Sequence, residues 1–359
     1  MFSTSLFAAV AVFTTSVVSQ TFTTCNPLEK TCPAQPALGN RSIKCDFTEG
    51  KCDDFNLNPG TTISYSDKGA LFSIENDKQA PTISGKKYIF FGRVDVELMA
   101  SPGQGVVTSV VLQSGDLDEI DWEWVGGRND EVQTNYFGKG DTTTYDRGAK
   151  HPVAAPLTSY HVYSIEWTSK KVDWIIDNQV VRTLNYADAK GGSRFPQTPM
   201  EIKLGTWVAG LASNSEGTVE WAGGYTDFTK APFQGWYKSI SVVDYAGGDA
   251  PPKESIKEYL YGDKSGSWES IKVVRGEPSE ESGDDDKASS TTLQAIPSAS
   301  STASGTKTTG ASNPAVTHSP NGTSTVPSTL PLSGANSNAI SIFGTIFTLV
   351  AVVMMIPIF

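Results

Sequence analysis

Short apolar segments alternate with polar ones through the middle of the chain, from about residue 47 to residue 245. In segments such as RVDVELMA, EVQTNYF and YHVYSIEW, many large apolar residues recur at every second position, and Val, Ile, Tyr, Phe and Trp are enriched. This period of two is typical of strands that bury one face. The segment WIIDNQVV predicts a hairpin that turns at Asp177 and Asn178. Because helical periodicity is weak and no repeat is visible, the pattern predicts an all-β sandwich or barrel.

One strand-like segment, DEIDWEWVG at residues 118–126, carries three carboxylates at alternate positions: Glu119, Asp121 and Glu123. In a strand these side chains share one face, and the apolar residues between them share the other. The pattern predicts an apolar face in the core and an acidic face that lines a binding surface. A solvated acidic face without a function is the alternative, but acidic residues are poor strand formers and like charges on one face repel each other.

Carboxylates are the strongest catalytic candidates of this chain. Three histidines (His151, His161 and His318) leave little for Ser-His-Asp chemistry or a histidine metal site, and His161 is expected to make a structural hydrogen bond. Two Glu residues on one face can act as general acid and nucleophile on a glycosidic bond, and a carboxyl separation of about 5–5.5 Å gives a retaining mechanism. Crowding raises the pKa of one carboxyl group, so one Glu stays protonated while another is ionised. We expect no metal and no cofactor.

The two ends of the chain differ in composition from its middle. Residues 1–19 combine an apolar run with small residues, which predicts a signal peptide that is cleaved after Ser19; a buried N-terminal helix is the alternative. Residues 339–359 are uncharged and long enough to span a bilayer. Small residues and a short polar spacer precede them, which predicts a glycosylphosphatidylinositol signal whose tail is removed. The candidate attachment residues are Ser333, Gly334 and Asn336. A tail-anchored helix is the alternative.

Two solvated segments are predicted before this tail. Residues 288–338 are rich in Ser, Thr and Pro, which is typical of an O-glycosylated stalk. Residues 246–287 are predicted to be an acidic extension, with GEPSEESGDDDK near its end. The globular domain is therefore predicted at residues 20–245. This organisation predicts a secreted protein that a lipid anchor holds on the outer face of the cell membrane.

All four cysteines lie near the start of the predicted domain. A secreted chain with an even number of cysteines is expected to form disulfides, and four cysteines allow three pairings. The equal spacings favour two local bridges, Cys25–Cys32 and Cys45–Cys52. Zinc is the alternative, but no histidine lies nearby and the spacings are not those of a zinc ribbon.

The net charge of −11 argues against nucleic acid as a partner, because phosphates require a basic face. It is compatible with a neutral or cationic polymer. Two sequons, Asn40 and Asn321, are N-glycosylation acceptors where they are exposed.

Several segments resemble a known family. DEIDWEW resembles the E-x-D-x-E signature of glycoside hydrolase family 16. Its wider context, FGRVDVELMASPGQGVVTSVVLQSGDLDEIDWEWVGG, is similar to the fungal Crh cell-wall transglycosylases of that family, as are QTNYFGKG and GTWVAGLASNSEGTVEWAGG. The resemblance covers about residues 25–245, and the stalk and anchor are also typical of the subfamily.

The resemblance implies a concanavalin-like β-jelly-roll sandwich of two curved antiparallel sheets around a sugar cleft. It implies that Glu119 is the nucleophile, Asp121 an assisting carboxyl group and Glu123 the acid/base. The implied reaction cleaves chitin and transfers it to cell-wall β-1,3- or β-1,6-glucan, with hydrolysis of chitin as a side reaction. The implied location is the outer face of the membrane and the cell wall. A lectin-like wall protein without catalysis is the alternative.

The resemblance also implies a set of chitin-contacting residues: Glu123, Lys203, Trp207 and Thr218. A Trp face suits the apolar face of a sugar ring, while Lys and Thr can donate hydrogen bonds to sugar oxygens. Trp207 and Trp221 as core residues, and Lys203 as a surface charge, are the alternatives. Asn135 and Tyr136 are expected near the cleft without an assigned role. Four cysteines are too few for an additional hevein-like chitin-binding module.

Overall fold

The computed structural model describes residues 22–144 and 146–276. These residues form eighteen strands, one short α-helix and three 3-10 helices. The strands are β1 (Gln35–Pro36), β2 (Ser42–Asp46), β3 (Phe55–Leu57), β4 (Ser64–Ser66), β5 (Gly69–Ile74), β6 (Thr82–Gly85), β7 (Gly92–Met99), β8 (Val106–Ser114), β9 (Glu119–Val125), β10 (Glu131–Phe137), β11 (Ala149–Pro152), β12 (His161–Trp167), β13 (Lys171–Ile176), β14 (Gln179–Asn185), β15 (Met200–Val208), β16 (Phe233–Asp244), β17 (Ile256–Tyr261) and β18 (Ile271–Arg275). The helices are α1 (Glu216–Trp221) and the 3-10 turns Tyr186–Asp188, Phe228–Lys230 and Trp268–Ser270.

Two large antiparallel sheets form the sandwich. One has seven strands in the order β11-β10-β9-β8-β15-β6-β3. The other has eight, with β14-β13-β12-β7-β16-β5-β4 in line and β2 paired to β16. The predicted all-β sandwich of two antiparallel sheets is therefore confirmed.

Aromatic residues join the two sheets through the core. Trp124 of β9 packs edge-on against Tyr163 of β12, with ring centroids 4.5 Å apart. The indole N–H of Trp122 donates to the carbonyl of Ser164, and that of Trp174 donates to the carbonyl of Asp121. Since buried indole groups need a hydrogen-bond partner, these two bonds fix β9 against the opposite sheet as well as burying its apolar face.

The predicted hairpin turn joins β13 to β14. Asp177 and Asn178 have φ angles of 48° and 68°, the left-handed conformation that a two-residue type I′ turn requires. Asn and Asp adopt this conformation at lower energetic cost than most residues do.

The folded domain continues past the boundary that the sequence predicts at residue 245. Strands β17 and β18 form a three-stranded sheet with β1. Ile256, Tyr259 and Ile271 of this segment lie in the main core cluster, and the Tyr259 hydroxyl donates to buried Asp244. The Ile and Tyr residues of IKEYLY favour a strand, but the acidic composition of the surrounding segment obscures this signal.

Both predicted disulfides are present, with S–S distances of 2.03 Å for Cys25–Cys32 and 2.01 Å for Cys45–Cys52. Asn40 is exposed in the loop before β2. Within the described part of the chain, no helix has the length and hydropathy of a membrane span. The predicted signal peptide, stalk, hydrophobic tail and anchor residues, together with Asn321 and the end of the acidic extension, lie outside the described residues.

Candidate active site

The hairpin β8–β9 and its neighbours set the positions of the three carboxylates. Glu119 lies opposite Gln113 of β8 and opposite Phe137 of β10. Directly paired residues of antiparallel strands project to the same face. Asp121 and Glu123 therefore share the face of Gln113, whereas Ile120, Trp122 and Trp124 are fully buried on the other face.

This acidic face is recessed. Glu119 is 8% exposed and Asp121 is 2% exposed, while Glu123 is partly buried. Glu119 and Asp121 share a hydrogen bond. The three groups thus form one interacting cluster, not the solvated acidic face of the alternative interpretation.

Burial raises the pKa of all three carboxyl groups, and differences in their surroundings make the three pKa values differ. For Glu119, hydrogen bonds from Asp121 and Gln113 and the charge of Lys203 oppose this increase in pKa. For Asp121, the charges of Glu119 and Glu123 raise the pKa further, well above its ordinary value. For Glu123, the charge of Glu119 adds to the effect of burial and nothing opposes the higher pKa. The site therefore favours an ionised Glu119, with a protonated Asp121 next to it and a protonated Glu123 beyond Asp121.

An amide and an ammonium group support Glu119. Gln113 Nε2 donates to Glu119 Oε2 over 3.1 Å, and Lys203 Nζ donates to Gln113 Oε1 over 2.8 Å. Lys203 is 5% exposed, and its Nζ lies 3.8 Å from Glu201 Oε2. The Phe22 ring lies over this ammonium, with 5.0 Å from Nζ to the ring centroid. Lys203 is therefore held by the protein at the acidic cluster and is not a surface charge.

Two tryptophans form a wall beside Glu123. The rings of Trp207 and Trp221 are stacked, with centroids 6.3 Å apart, and both are partly buried. Trp221 Nε1 donates to Gln133 Oε1 over 2.9 Å, and Gln133 lies opposite Glu123. Thr218 precedes Trp221 by three residues in α1, so both lie on one side of this helix. The Thr218 hydroxyl forms a hydrogen bond with the hydroxyl of Ser215 at the helix N-terminus.

The remaining candidates from the sequence lie in different places in the structure. Asn135 lies opposite Asp121 and shares the acidic face, whereas Tyr136 projects to the core and is 7% exposed. The prediction that Tyr136 lies near the cleft together with Asn135 is thus wrong, because adjacent residues of a strand face opposite sides of the sheet. Both ring nitrogens of His161 have structural partners, Asp177 Oδ2 at 2.7 Å and the Ala154 carbonyl at 2.8 Å.

The sequence interpretation misses Gln113, Gln133 and Glu201. A signal for Gln113 does exist: a hairpin centred on the turn SGDLD pairs it with Glu119. Glu201 lies opposite Gln113 in β15, which no local pattern could show. Among the described residues, one cluster has the composition of a metal site (Cys45, Cys52 and Asp54), but its two sulfurs form a disulfide.

Comparisons with known proteins identify the family of this chain. The family model of glycosyl hydrolases family 16 matches residues 52–223. Crh-like protein 2 of Botryotinia fuckeliana is 48% identical over 274 residues, which are 76% of this chain and 59% of that protein. A Crh-like protein of Arthroderma benhamiae is 46% identical over 275 residues, covering 76% of this chain and 72% of that protein.

A solved structure of a Crh5 transglycosylase in complex with NAG is 49% identical, with a TM-score of 0.65 over 69% of this chain and 99% of that chain. The chain spans 59%, 65% and 60% of the length of three of the curated relatives that it matches, from Botryotinia fuckeliana and Aspergillus fumigatus. The identity and the coverage together assign this chain to glycosyl hydrolases family 16, among its Crh-like proteins.

Proposed function

We propose that this protein is a retaining transglycosylase that cleaves chitin and transfers it to cell-wall β-1,3- or β-1,6-glucan, with hydrolysis of chitin as a side reaction. The recessed cluster of Glu119, Asp121 and Glu123 carries the proposal. Burying three adjacent carboxyl groups destabilises the folded state unless function requires them. A lectin needs the aromatic wall but not these acids.

In the first step, Glu119 attacks the anomeric carbon of the chitin donor. The bond to the leaving sugar oxygen breaks, and Glu123 gives its proton to that oxygen. The product is a covalent glycosyl-enzyme on Glu119 and an ionised Glu123. Asp121 is protonated and donates to Glu119, so it orients the nucleophile without competing as a second negative charge.

In the second step, Glu123 accepts the proton of a glucan hydroxyl group. The hydroxyl oxygen attacks the anomeric carbon, and Glu119 leaves as a carboxylate. A new glycosidic bond joins chitin to glucan, and the protonation states of the free enzyme return. Water in place of the glucan hydroxyl gives hydrolysis. The kinship with a Crh5 transglycosylase supports transfer as the main reaction.

The choice of donor rests on two supports. The related Crh5 structure holds NAG, and chitin is a polymer of this sugar. The stacked Trp207 and Trp221 lie beside Glu123, where a ring face can pack on the apolar face of a sugar. Together with Glu123, we assign Trp207, Thr218 and Lys203 to chitin contact.

The direct test is product analysis by mass spectrometry after incubation with chitin oligomers and labelled β-1,3- or β-1,6-glucan oligomers. Hybrid products that contain one part of each are expected. Shorter chitin oligomers alone would indicate a hydrolase. Oligomers of unchanged length that still bind would favour the lectin-like alternative.

The rate is expected to follow a bell-shaped pH profile. The rate falls on the acid side as Glu119 takes up a proton and on the alkaline side as Glu123 loses one. Because burial and then the Glu119 charge raise the pKa of Glu123, the alkaline midpoint should lie above the ordinary glutamate value of about 4.3. The measurement is kcat/KM for a chitin oligomer across the pH range in which the protein stays folded. An alkaline midpoint at or below the ordinary value would contradict this assignment.

We further propose that the protein is secreted, glycosylated at Asn40 and Asn321, and held by a glycosylphosphatidylinositol anchor at Ser333, Gly334 or Asn336. The support is the sequence of both ends, with a signal peptide, a Ser/Thr-rich stalk and an uncharged tail. Phosphatidylinositol-specific phospholipase C is expected to release the protein from membranes of cells that make it. Protein that stays in the membrane after treatment would favour a tail-anchored helix.

A further inference from the structure

The side-chain amide of Gln113 has one allowed orientation. Its Oε1 accepts from Lys203 Nζ at 2.8 Å and from the backbone N–H of Phe22 at 3.3 Å. If the amide were flipped, its N–H groups would face two donors and lose both bonds. Since Oε1 points to Lys203 and Phe22, Nε2 must point to Glu119.

This orientation limits what Glu119 can do. Gln113 donates to Oε2 of Glu119, while Asp121 shares a second hydrogen bond with the same carboxylate. Donors fixed on a carboxylate favour its ionised form and hold its plane. Gln113 is 3% exposed, so water does not replace its donated bond easily.

We propose that Gln113 is a positioning residue that keeps Glu119 ionised and oriented for attack, and that Lys203 and the Phe22 backbone fix the direction of its amide. This inference rests on the proposed role of Glu119 as nucleophile. It gives Lys203 a structural connection to the nucleophile, in addition to the chitin contact assigned above. It also makes the segment before the Cys25–Cys32 bridge part of the catalytic region.

The charged groups around Glu119 come from two strands. Asp121 and Glu123 face it from β9, and Lys203 faces it from β15, accompanied by Glu201. The neighbour from β10 is Phe137, which is uncharged. Lys203 is thus the cation of this group, and the amide bridges it to the nucleophile.

Two substitutions test the donated bond. Gln113→Leu removes both the donor and the acceptor of the amide, and Gln113→Glu keeps the size but replaces the donor with an acceptor. Without the donor, the ionised form of Glu119 loses stabilisation, so the acid midpoint of kcat/KM should move up by about one pH unit. The kcat should fall by about tenfold, with little change in KM. Gln179→Leu, at an exposed position in the other sheet, is the matched control and should keep the acid midpoint of kcat/KM of the wild type.

Lys203→Met separates the two roles of the lysine. If it acts through Gln113, the acid midpoint also moves up, and the shift in Gln113→Leu/Lys203→Met is smaller than the sum of the single shifts. If Lys203 contacts chitin and acts on Glu119 only through its charge, KM rises and the midpoint shifts of the two single variants add in the double variant.

The outcomes distinguish this inference from the proposed function. Wild-type acid midpoints in folded Gln113→Leu and Gln113→Glu proteins would overturn the positioning role, provided that Glu119→Gln is inactive. Turnover retained in Glu119→Gln would instead refute the nucleophile itself. Where Gln113→Leu does not fold, as judged by circular dichroism, Gln113→Glu decides the question.

Discussion

Replacing Glu119 with Gln is expected to abolish transfer, lowering kcat by more than about 10³-fold, because the amide cannot form a stable bond to the anomeric carbon. Replacing Glu123 with Gln should lower kcat by about 10²- to 10⁴-fold, the range for loss of a general acid/base. The measurement is the rate of formation of labelled hybrid oligomers. Neither change alters side-chain size, so both proteins should fold.

Measurements of stability distinguish a loss of catalysis from a loss of folding in these variants. Both glutamates are buried beside other carboxyl groups, and burial of these groups opposes their ionised forms. Each Gln variant should therefore have a melting temperature at least as high as the wild type, the usual trade between stability and activity at a catalytic site. Glu75→Gln, in an exposed loop, is the matched control and should leave rate and stability unchanged.

The two glutamates should also differ in their response to a donor with a better leaving group. Such a group departs without protonation, so a chitin oligomer with an aryl leaving group should restore bond cleavage in Glu123→Gln. It should not restore cleavage in Glu119→Gln, since the attacking group is missing. Equal rescue of both variants, or of neither, would refute the assignment of the roles.

The fold could be predicted because its determinants are local. Alternation in the strands, the Asp177–Asn178 turn and the equal cysteine spacings are each visible within about ten residues, and the structure contains all of these features. The acidic face was also visible, because Glu119, Asp121 and Glu123 lie in one strand. Period two fixes their common side before any partner strand is known.

The support around the acids could not be predicted from local pattern. Lys203 meets Gln113 because β15 pairs with β8, and 90 residues separate the two. The Phe22 backbone reaches the same amide from 91 residues away. Which strands become neighbours depends on the packing of the whole sandwich. The resemblance suggested Lys203 as a sugar contact, and its bond to the amide next to Glu119 emerges only in three dimensions.

A chain that ends at residue 245 is expected to fail to fold. It lacks β17 and β18, whose Ile256, Tyr259 and Ile271 are 4%, 0% and 8% exposed in the core. Burial of one large side chain contributes about 1.5–3 kcal/mol, so the three together contribute about 5–9 kcal/mol. This is comparable to the whole free energy of unfolding of a typical domain, about 5–15 kcal/mol. Circular dichroism and thermal melting of the two secreted chains, one ending at 245 and one at 276, measure the difference.

Removal of β17 and β18 should also destabilise the turn that leads into β9, the strand of the three carboxyl groups. The Tyr261 hydroxyl donates to buried Asp116 at 3.2 Å, within the turn between β8 and β9. Asp116 also accepts from Ser114 at 2.5 Å and from Thr198 at 2.6 Å, so this carboxylate joins the turn to two other segments. Tyr261→Phe in the chain ending at 276 removes this single bond and should lower stability by about 1.5–3 kcal/mol, the range for hydrogen bonds to charged groups.

Equal melting temperatures for the chains ending at 245 and 276 would show that β17 and β18 are accessory to the domain.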